Sequence, residues 1–259
     1  MTTVDLNADC GESFGPWPMG HDAEILSVVT SANIACGFHA GDPDTMAATL
    51  ALAQANGVAV GAHPGYDDKT GFGRRVIPMT NAEVERMVAY QVGAFLGMAA
   101  LAGVPVGHVK AHGALSNVAM ADRGVADAIA AAVRAVEPRL VLLAVATTEL
   151  VRAGEAAGLA VASEIFADRA YEPNGHLVSR AKPGALIEDP EAAAARVVGM
   201  VRSGAILARD GTCLPTAIHS VCLHGDNPAA VGIARAVRAA LEAAGVRVAP
   251  FVGRIAVAA

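Results

Sequence analysis

The chain has 259 residues, of which 54% are apolar, 17% charged and 4% aromatic, which is enough apolar sequence for a large buried core and too ordered a composition for disorder as the main state. Lys and Arg total 19 against 25 Asp and Glu, a net charge of −6, and without a basic run the chain is a poor nucleic-acid binder and lacks a polybasic membrane anchor. The scattered cysteines Cys10, Cys36, Cys213 and Cys222 form no C-x-x-C pair and read as reduced thiols of a cytoplasmic protein.

The opening M-T-T-V-D-L-N-A-D has no basic or apolar leader region, so no signal peptide is expected. Short β-branched runs predict strands at Thr3–Leu6, Ala32–Ala35, Val58–Gly61, Gly107–Lys110, Leu140–Ala144, Ala160–Ser163 and Ser220–Leu223. Helices are predicted between them: a short one at Asp22–Thr30, then Pro43–Asn56 behind an Asp42 N-cap, and Asn81–Ala102 behind Thr80 with Glu83 completing a capping box. Ala121–Val136, Thr147–Ala157, Pro190–Arg202 and Asn227–Ala244 follow, with Gly57, Gly103, Gly158 and Gly245 as closing glycines. Met87–His108 carries no Asp, Glu, Lys or Arg, but Gln91, three glycines and Pro105 mark it as a buried helix, a turn and a strand start rather than a membrane span. Pro64–Met79 and Phe166–Glu188 exceed normal connections and are candidate lids or binding loops. The D-G-T phrase within Arg209–Pro215 predicts a hairpin beside the main sheet.

Repeated β–α alternation argues for parallel strands covered by helices. An open doubly wound sheet would carry a Gly-rich nucleotide turn after the first strand, and D-L-N-A-D-C-G-E has none. Polar clusters recur instead after several strands, as at the mouth of a barrel. The expected fold is α/β, an irregular (β/α) barrel with seven or so parallel strands, as a single domain over residues 1–259.

Four clusters carry the chemistry. In the first, alternation along a strand places Asp5, Asn7 and Asp9 on one side, with Glu12 just beyond. Turn formation explains one or two of these residues but not four, and carboxylates so close need a cation, donors or a shared proton. The second ends a strand at Gly37 and presents His39 and Asp42; the latter also suits an N-cap. The third places His63 before Pro64 and Gly65, with Arg74 downstream as a candidate carboxylate clamp. The fourth holds Lys110, His112 and Asn117. A buried Lys110 requires a carboxylate partner, for which Asp5 or Asp9 is the candidate. His39, His63 and His112 each end a different strand, which points to acid–base work or metal ligation. Glu164 with Asp168, Arg169 and Tyr171 are weaker candidates for the same mouth; Lys182 within Arg180-Ala181-Lys182 and His224 at the end of the last apolar strand are further weak signals, and Asp226 suits a cap of the next helix. No Walker loop, nucleophile elbow or H-E-x-x-H is present, so covalent serine catalysis is not expected. The residues alone point to a hydrolase or lyase acting on a small polar substrate.

The segments D-L-N-A-D-C-G-E-S-F-G-P-W, S-A-N-I-A-C-G-F-H-A-G-D-P, G-A-H-P-G-Y-D-D, G-F-G-R-R, V-K-A-H-G-A-L, F-A-D-R-A-Y and C-L-H-G-D together resemble the LamB/YcsF family, in order from Val4 to about Val246. The resemblance implies a barrel akin to the glycoside hydrolase/deacetylase group. It also implies ATP-dependent opening of 5-oxo-L-proline to L-glutamate, performed with B and C partner subunits that would supply the ATP step. On this reading Asp5, Asp9, Glu12, His39, His63, Lys110 and His112 are catalytic candidates, and Asn7, Asp42, Arg74, Asn117, Arg169 and His224 are substrate-binding candidates. Asp5 or Asp9 would be the base, a histidine the acid or oxyanion stabiliser, and Lys110 or Arg74 the holder of the substrate carboxylate. The sequence departs from the family where Ala111 replaces a usual Pro and Ser116 a usual Tyr, which bears on the choice of lactam. Two rival readings are a metal-dependent deacetylase or amidohydrolase using a divalent ion and a non-catalytic subunit that only delivers substrate.

Overall fold

Strict alternation along the first strand sets the layout of the barrel. In β1 (Thr3–Cys10) Val4, Leu6, Ala8 and Cys10 join the main apolar core, while Asp5, Asn7 and Asp9 face the other way. The same period holds in β2 (Ser31–Ala35), β3 (Ala59–His63), β4 (Val106–Lys110), β5 (Val141–Val145) and β6 (Val161–Phe166), interleaved with α1 (Asp22–Ile25), α2 (Pro43–Ala55), α3 (Asn81–Ala102), α4 (Gly113–Ala119), α5 (Arg123–Val136) and α6 (Glu149–Ala156). After α7 (Pro190–Ser203) come β7 (Ala205–Leu207), β8 (Cys213–Pro215), β9 (Ser220–Leu223), α8 (Pro228–Ala243) and β10 (Arg247–Val248). This computed structural model describes residues 2–179, 182–224 and 228–255, so the sequence expectations at Arg180, Asp226 and Asn227 lie outside the described residues.

The strands β1 to β6 pair in order and in parallel, and β9 pairs with both β6 and β1 to close a seven-stranded barrel. The apolar outer faces of these strands are buried under the helices. The expected strands and helices all form, most within a few residues of their predicted ends. Helix α3 matches at both ends because its signals are local: Thr80 and Glu83 make the reciprocal capping box, and Gly103 closes it in the left-handed region at φ 68°. Asp42 caps α2 by accepting from the Thr45 N–H at 2.8 Å. The predicted hairpin is the antiparallel pair β7–β8 outside the barrel. Helix α4 and strand β10 were not expected, being too short to show a period.

The inner space is layered. At the end where β1 begins, β10 pairs with Thr3 and Val4, and the fully buried Phe251 packs on Val141, Leu143, Ala160 and Ala162. Burying such a ring contributes on the order of 1.5–3 kcal/mol and keeps that end dry. Above it His108 meets Phe251 edge-on, with ring centroids 5.1 Å apart. Gly61 makes room for His108, because a Cβ there would lie 2.3 Å from the imidazole. A polar layer follows, and at the ends of the strands the charged residues begin.

Candidate active site

Asp5 lies deep in the polar layer. Its carboxylate accepts from Thr30 Oγ1 and Ser31 Oγ, each at 2.6 Å, and from the Ser220 hydroxyl. Burial pushes its pKa up to about 6 against the pull of these hydroxyls and of Arg254. One step up the strand, Asn7 donates to Ser220 Oγ at 2.7 Å and to Glu164 Oε2 at 3.1 Å. Its Oδ1 accepts from Asn33 Nδ2 and from Lys110 Nζ. Asn33 also donates to Asp9 Oδ1 at 2.9 Å and accepts from His108 Nε2 at 2.8 Å.

Lys110, from the end of β4, stands between this layer and the mouth. Its ammonium lies 3.2 Å from Asp9 Oδ1, 3.1 Å from Glu164 Oε2 and 3.1 Å from Cys222 Sγ. Burial opposes its charge, but Asp9, Cys222 and Glu164 hold its pKa well above the usual lysine value. Burial likewise raises Asp9, but His63 and Lys110 outweigh it and hold the carboxyl well below the usual range. Asp9 is therefore an ionised carboxylate with fixed orientation and one edge towards the cavity.

The three strand-end histidines meet at this point. His63 Nε2 lies 3.2 Å from Asp9 Oδ2, and its Nδ1 donates to the Lys110 carbonyl at 2.8 Å. Burial lowers the His63 pKa, yet the Asp9 charge leaves it raised overall. His112 Nε2 donates to the Phe72 carbonyl at 2.8 Å, and its Nδ1 faces His63 Nε2 at 3.1 Å. Burial and the neighbouring His39 and His63 push His112 down to about 3. His39 stacks on His112 with centroids 3.7 Å apart and planes within 5°, and its Nε2 meets Glu12 Oε1 at 3.2 Å. Burial and Asp9 together raise the Glu12 pKa.

These groups form one wall of a cavity of about 580 Å³ at the C-terminal mouth of the barrel. Of the residues predicted from sequence, Asp9, Glu12, His63, Lys110, His112, Arg74, Asn117, Arg169 and His224 line it. Four others do not. Asp5 and Asn7 belong to the layer beneath, because alternation fixes the side of a strand a residue faces but not its depth. His39 stands behind His112. Asp42 is committed to the N–H groups of Thr45 and Gly15. The expected carboxylate partner of Lys110 is Asp9 rather than Asp5, with Glu164 as a second. Lys110 is surrounded by Asn7, Asp9, Glu164 and Cys222, so the expectation that it holds a substrate carboxylate is corrected: its donors are used inside the protein.

Both long loops reach the cavity, the first through Phe72 and Arg74, the second through Arg169, His176, Leu177 and Ser179. Arg74 lies 5.0 Å from the Phe72 ring centroid, and Arg169 donates to the Val178 carbonyl at 2.7 Å. His224 Nδ1 and Asp168 Oδ2 are 2.6 Å apart, while Lys182 pairs with Glu172 at 3.0 Å. The sequence reading missed the polar ring of Ser31, Asn33, His108 and Ser220. His108 stands two residues before Lys110 on the same strand face, which was the available signal. It also missed the apolar side of the cavity, Phe72, Met120 and Phe166, which carries no polar motif.

The profile of the LamB/YcsF family matches residues 4–256. The A-type subunit of a 5-oxoprolinase from Rhodopseudomonas palustris (strain BisB18) is 58% identical over 254 residues, covering 98% of this chain and 100% of the relative. The crystal structure of a lactam utilization protein from Thermus thermophilus is similar at 47% identity and a TM-score of 0.92, over 96% of this chain and 100% of that one. The catalytic domain of a peptidoglycan N-acetylglucosamine deacetylase from Eubacterium rectale shares the fold alone, at 14% identity and a TM-score of 0.52 over 97% of this chain and 89% of that one.

Proposed function

Because the chain belongs to the LamB/YcsF family, we propose that it is the lactam-binding hydrolytic subunit of an ATP-dependent 5-oxoprolinase, opening 5-oxo-L-proline to L-glutamate in the cytoplasm together with B and C subunits. The observation that carries this reading is Asp9: an ionised carboxylate held from behind by Lys110 and from the side by His63, with its remaining edge at the cavity.

An unstrained lactam resists attack by water, so the carbonyl needs activation and the water needs orientation. Asp9 orients the water and accepts its proton. Lys110 is a positioning residue, keeping Asp9 charged and aimed. His63 Nε2 and His112 Nδ1 stand beside Asp9 on the same wall of the cavity and form the polar surface next to the reacting carbonyl. Arg74 on the rim holds the substrate carboxylate, and Asn117 and Arg169 complete the pocket. ATP supplies the activation of the lactam oxygen. The cavity is lined in part by the carboxylates of Asp9, Glu12 and Asp22, and the sequence has no Gly-rich phosphate loop of the Walker type, neither of which favours a triphosphate here. The phosphoryl step is therefore assigned to the partner subunits. Among the described residues no helix is long and apolar enough to cross a membrane.

The test is glutamate release from 5-oxoproline and ATP by this chain alone, by B and C subunits alone and by the mixture. Activity confined to the mixture supports the reading. No activity in a mixture whose partners are folded overturns it.

A further inference from the structure

The opposed ring nitrogens of His63 and His112 define a point that needs positive charge. The Phe72 carbonyl accepts only, so His112 carries its proton on Nε2 and leaves Nδ1 bare. The Lys110 carbonyl fixes a proton on His63 Nδ1 in the same way and leaves Nε2 as the second nitrogen of interest. These two nitrogens face each other at 3.1 Å. Glu12 Oε1 lies 3.6 Å from His112 Nδ1, and Asp9 Oδ2 lies 3.2 Å from His63 Nε2. With neutral rings, two lone pairs and two carboxylates converge on one small volume. Either a proton or a metal cation must occupy it.

We propose that this volume is a divalent transition-metal site of the zinc class, with His63 Nε2, His112 Nδ1 and a Glu12 carboxylate oxygen as ligands and His39 as the residue that positions Glu12. The ligand atoms offered by Glu12, His39, His63 and His112 lie within 4.8 Å of one another. Bonds of about 2.0–2.2 Å to one ion place donors roughly 3–3.6 Å apart, as the His63–His112 and His112–Glu12 separations already are. Each ligating imidazole has its other nitrogen tied to a backbone carbonyl, the arrangement that fixes tautomer and ring direction in metal sites.

His39 is excluded as a ligand by geometry. Its ring is parallel to that of His112 at 3.7 Å, so no point lies in both ring planes, and one ion cannot be approached in plane by both imidazoles. Its Nε2 instead meets Glu12 Oε1 at 3.2 Å, which holds the carboxylate in place. Glu12, His63 and His112 line the cavity, so the remaining coordination positions face the space where a substrate would sit. Two histidines, one carboxylate and open positions suit a zinc-class ion that acts as a Lewis acid on a carbonyl oxygen or acidifies a water.

The test uses the full chain alone, without lactam or ATP, so its failure is distinct from failure of the oxoprolinase reading. Chelator-stripped protein is titrated with Co²⁺, read by visible absorption, and its Zn²⁺ stoichiometry is measured by mass spectrometry. One ion per chain is expected. Glu12→Gln and His112→Gln should weaken Co²⁺ binding about a hundredfold or more, and His39→Gln about 10–100-fold, with His21→Gln unchanged as a surface control. Circular dichroism confirms that each variant is folded. Independently of any variant, X-ray absorption at the zinc edge of the wild-type chain should show two imidazole ligands. No binding by the wild-type chain, full binding by the folded Glu12→Gln and His112→Gln variants, or a zinc shell without imidazole overturns the site and leaves a proton on His63 Nε2 as the resident charge.

Discussion

The carboxylate of Asp9 and the ammonium of Lys110 meet at 3.2 Å where the barrel interior opens into the cavity. The pair comes from β1 and β4, 101 positions apart, and neither charge would be stable there alone.

Lys110→Met should therefore destabilise the fold by about 3–5 kcal/mol, since Asp9 and Glu164 are left facing each other without their cation. The double variant Lys110→Met/Asp9→Asn should lose less than the sum of the single losses. Urea unfolding of the four proteins checks this, and strict additivity would show that the pair is not coupled.

Asp9→Asn removes the proton acceptor while leaving one oxygen for Lys110. In the reconstituted assay kcat should fall about 10²–10⁴-fold, with the fold retained. A variant that keeps wild-type kcat would move the base elsewhere in the cavity.

Asp5 gives the fold a pH dependence of its own. Its pKa is about 6 in the folded chain against an ordinary 3.8, so between these values the folded state binds more protons than the unfolded one. Its contribution to stability is full below the ordinary value and lost as pH rises through about 6. Relative to Asp5→Asn, the wild-type chain should gain up to about 3 kcal/mol on going from pH 7.5 to pH 4. Parallel unfolding curves at the two pH values measure this difference, and other acids cancel in it.

Gly73 has φ of 62°, and a Cβ there would lie 2.7 Å from both the His112 ring and His39 Cβ. Gly73→Ala should cost more than about 1 kcal/mol in unfolding free energy and lower activity by displacing His112. Wild-type stability and activity in this variant would show that the loop can retreat from the histidines.

Ser116 lines the cavity. Ser116→Tyr should narrow it, raising KM for a six-membered lactam analogue more than KM for 5-oxoproline. Equal changes for the two substrates would remove Ser116 from the choice of ring size.

The features legible in the sequence are those with local causes. Thr80, Glu83 and Gly103 announce helix α3, and the run Ser220–Leu223 announces β9. The need of a buried Lys110 for a carboxylate was also readable, because desolvation demands it wherever the chain goes. Depth was not. Asp5 and Asp9 share one face of β1, but four residues of strand separate a sealed carboxylate from one at the cavity. Nor was the Phe251 plug readable, because its segment has no period to betray it. The stacking of His39 on His112 depends on loops whose paths only the closed barrel sets.

The closure of β1 on β9 has a consequence for how the chain is made. The Asn7–Ser220 hydrogen bond joins partners 213 positions apart, and Ser220 also satisfies Asp5. While the chain emerges from the ribosome, Asn7 precedes by 213 positions the Ser220 that completes its surroundings. At about 5–20 residues per second it waits on the order of ten seconds or more for that partner. Until then Asp5 and Asn7 lack their Ser220 partner, and the cost of burying them unpaired opposes closure of the half-made barrel. The polar layer thus favours a dry interior only once β9 has joined β1.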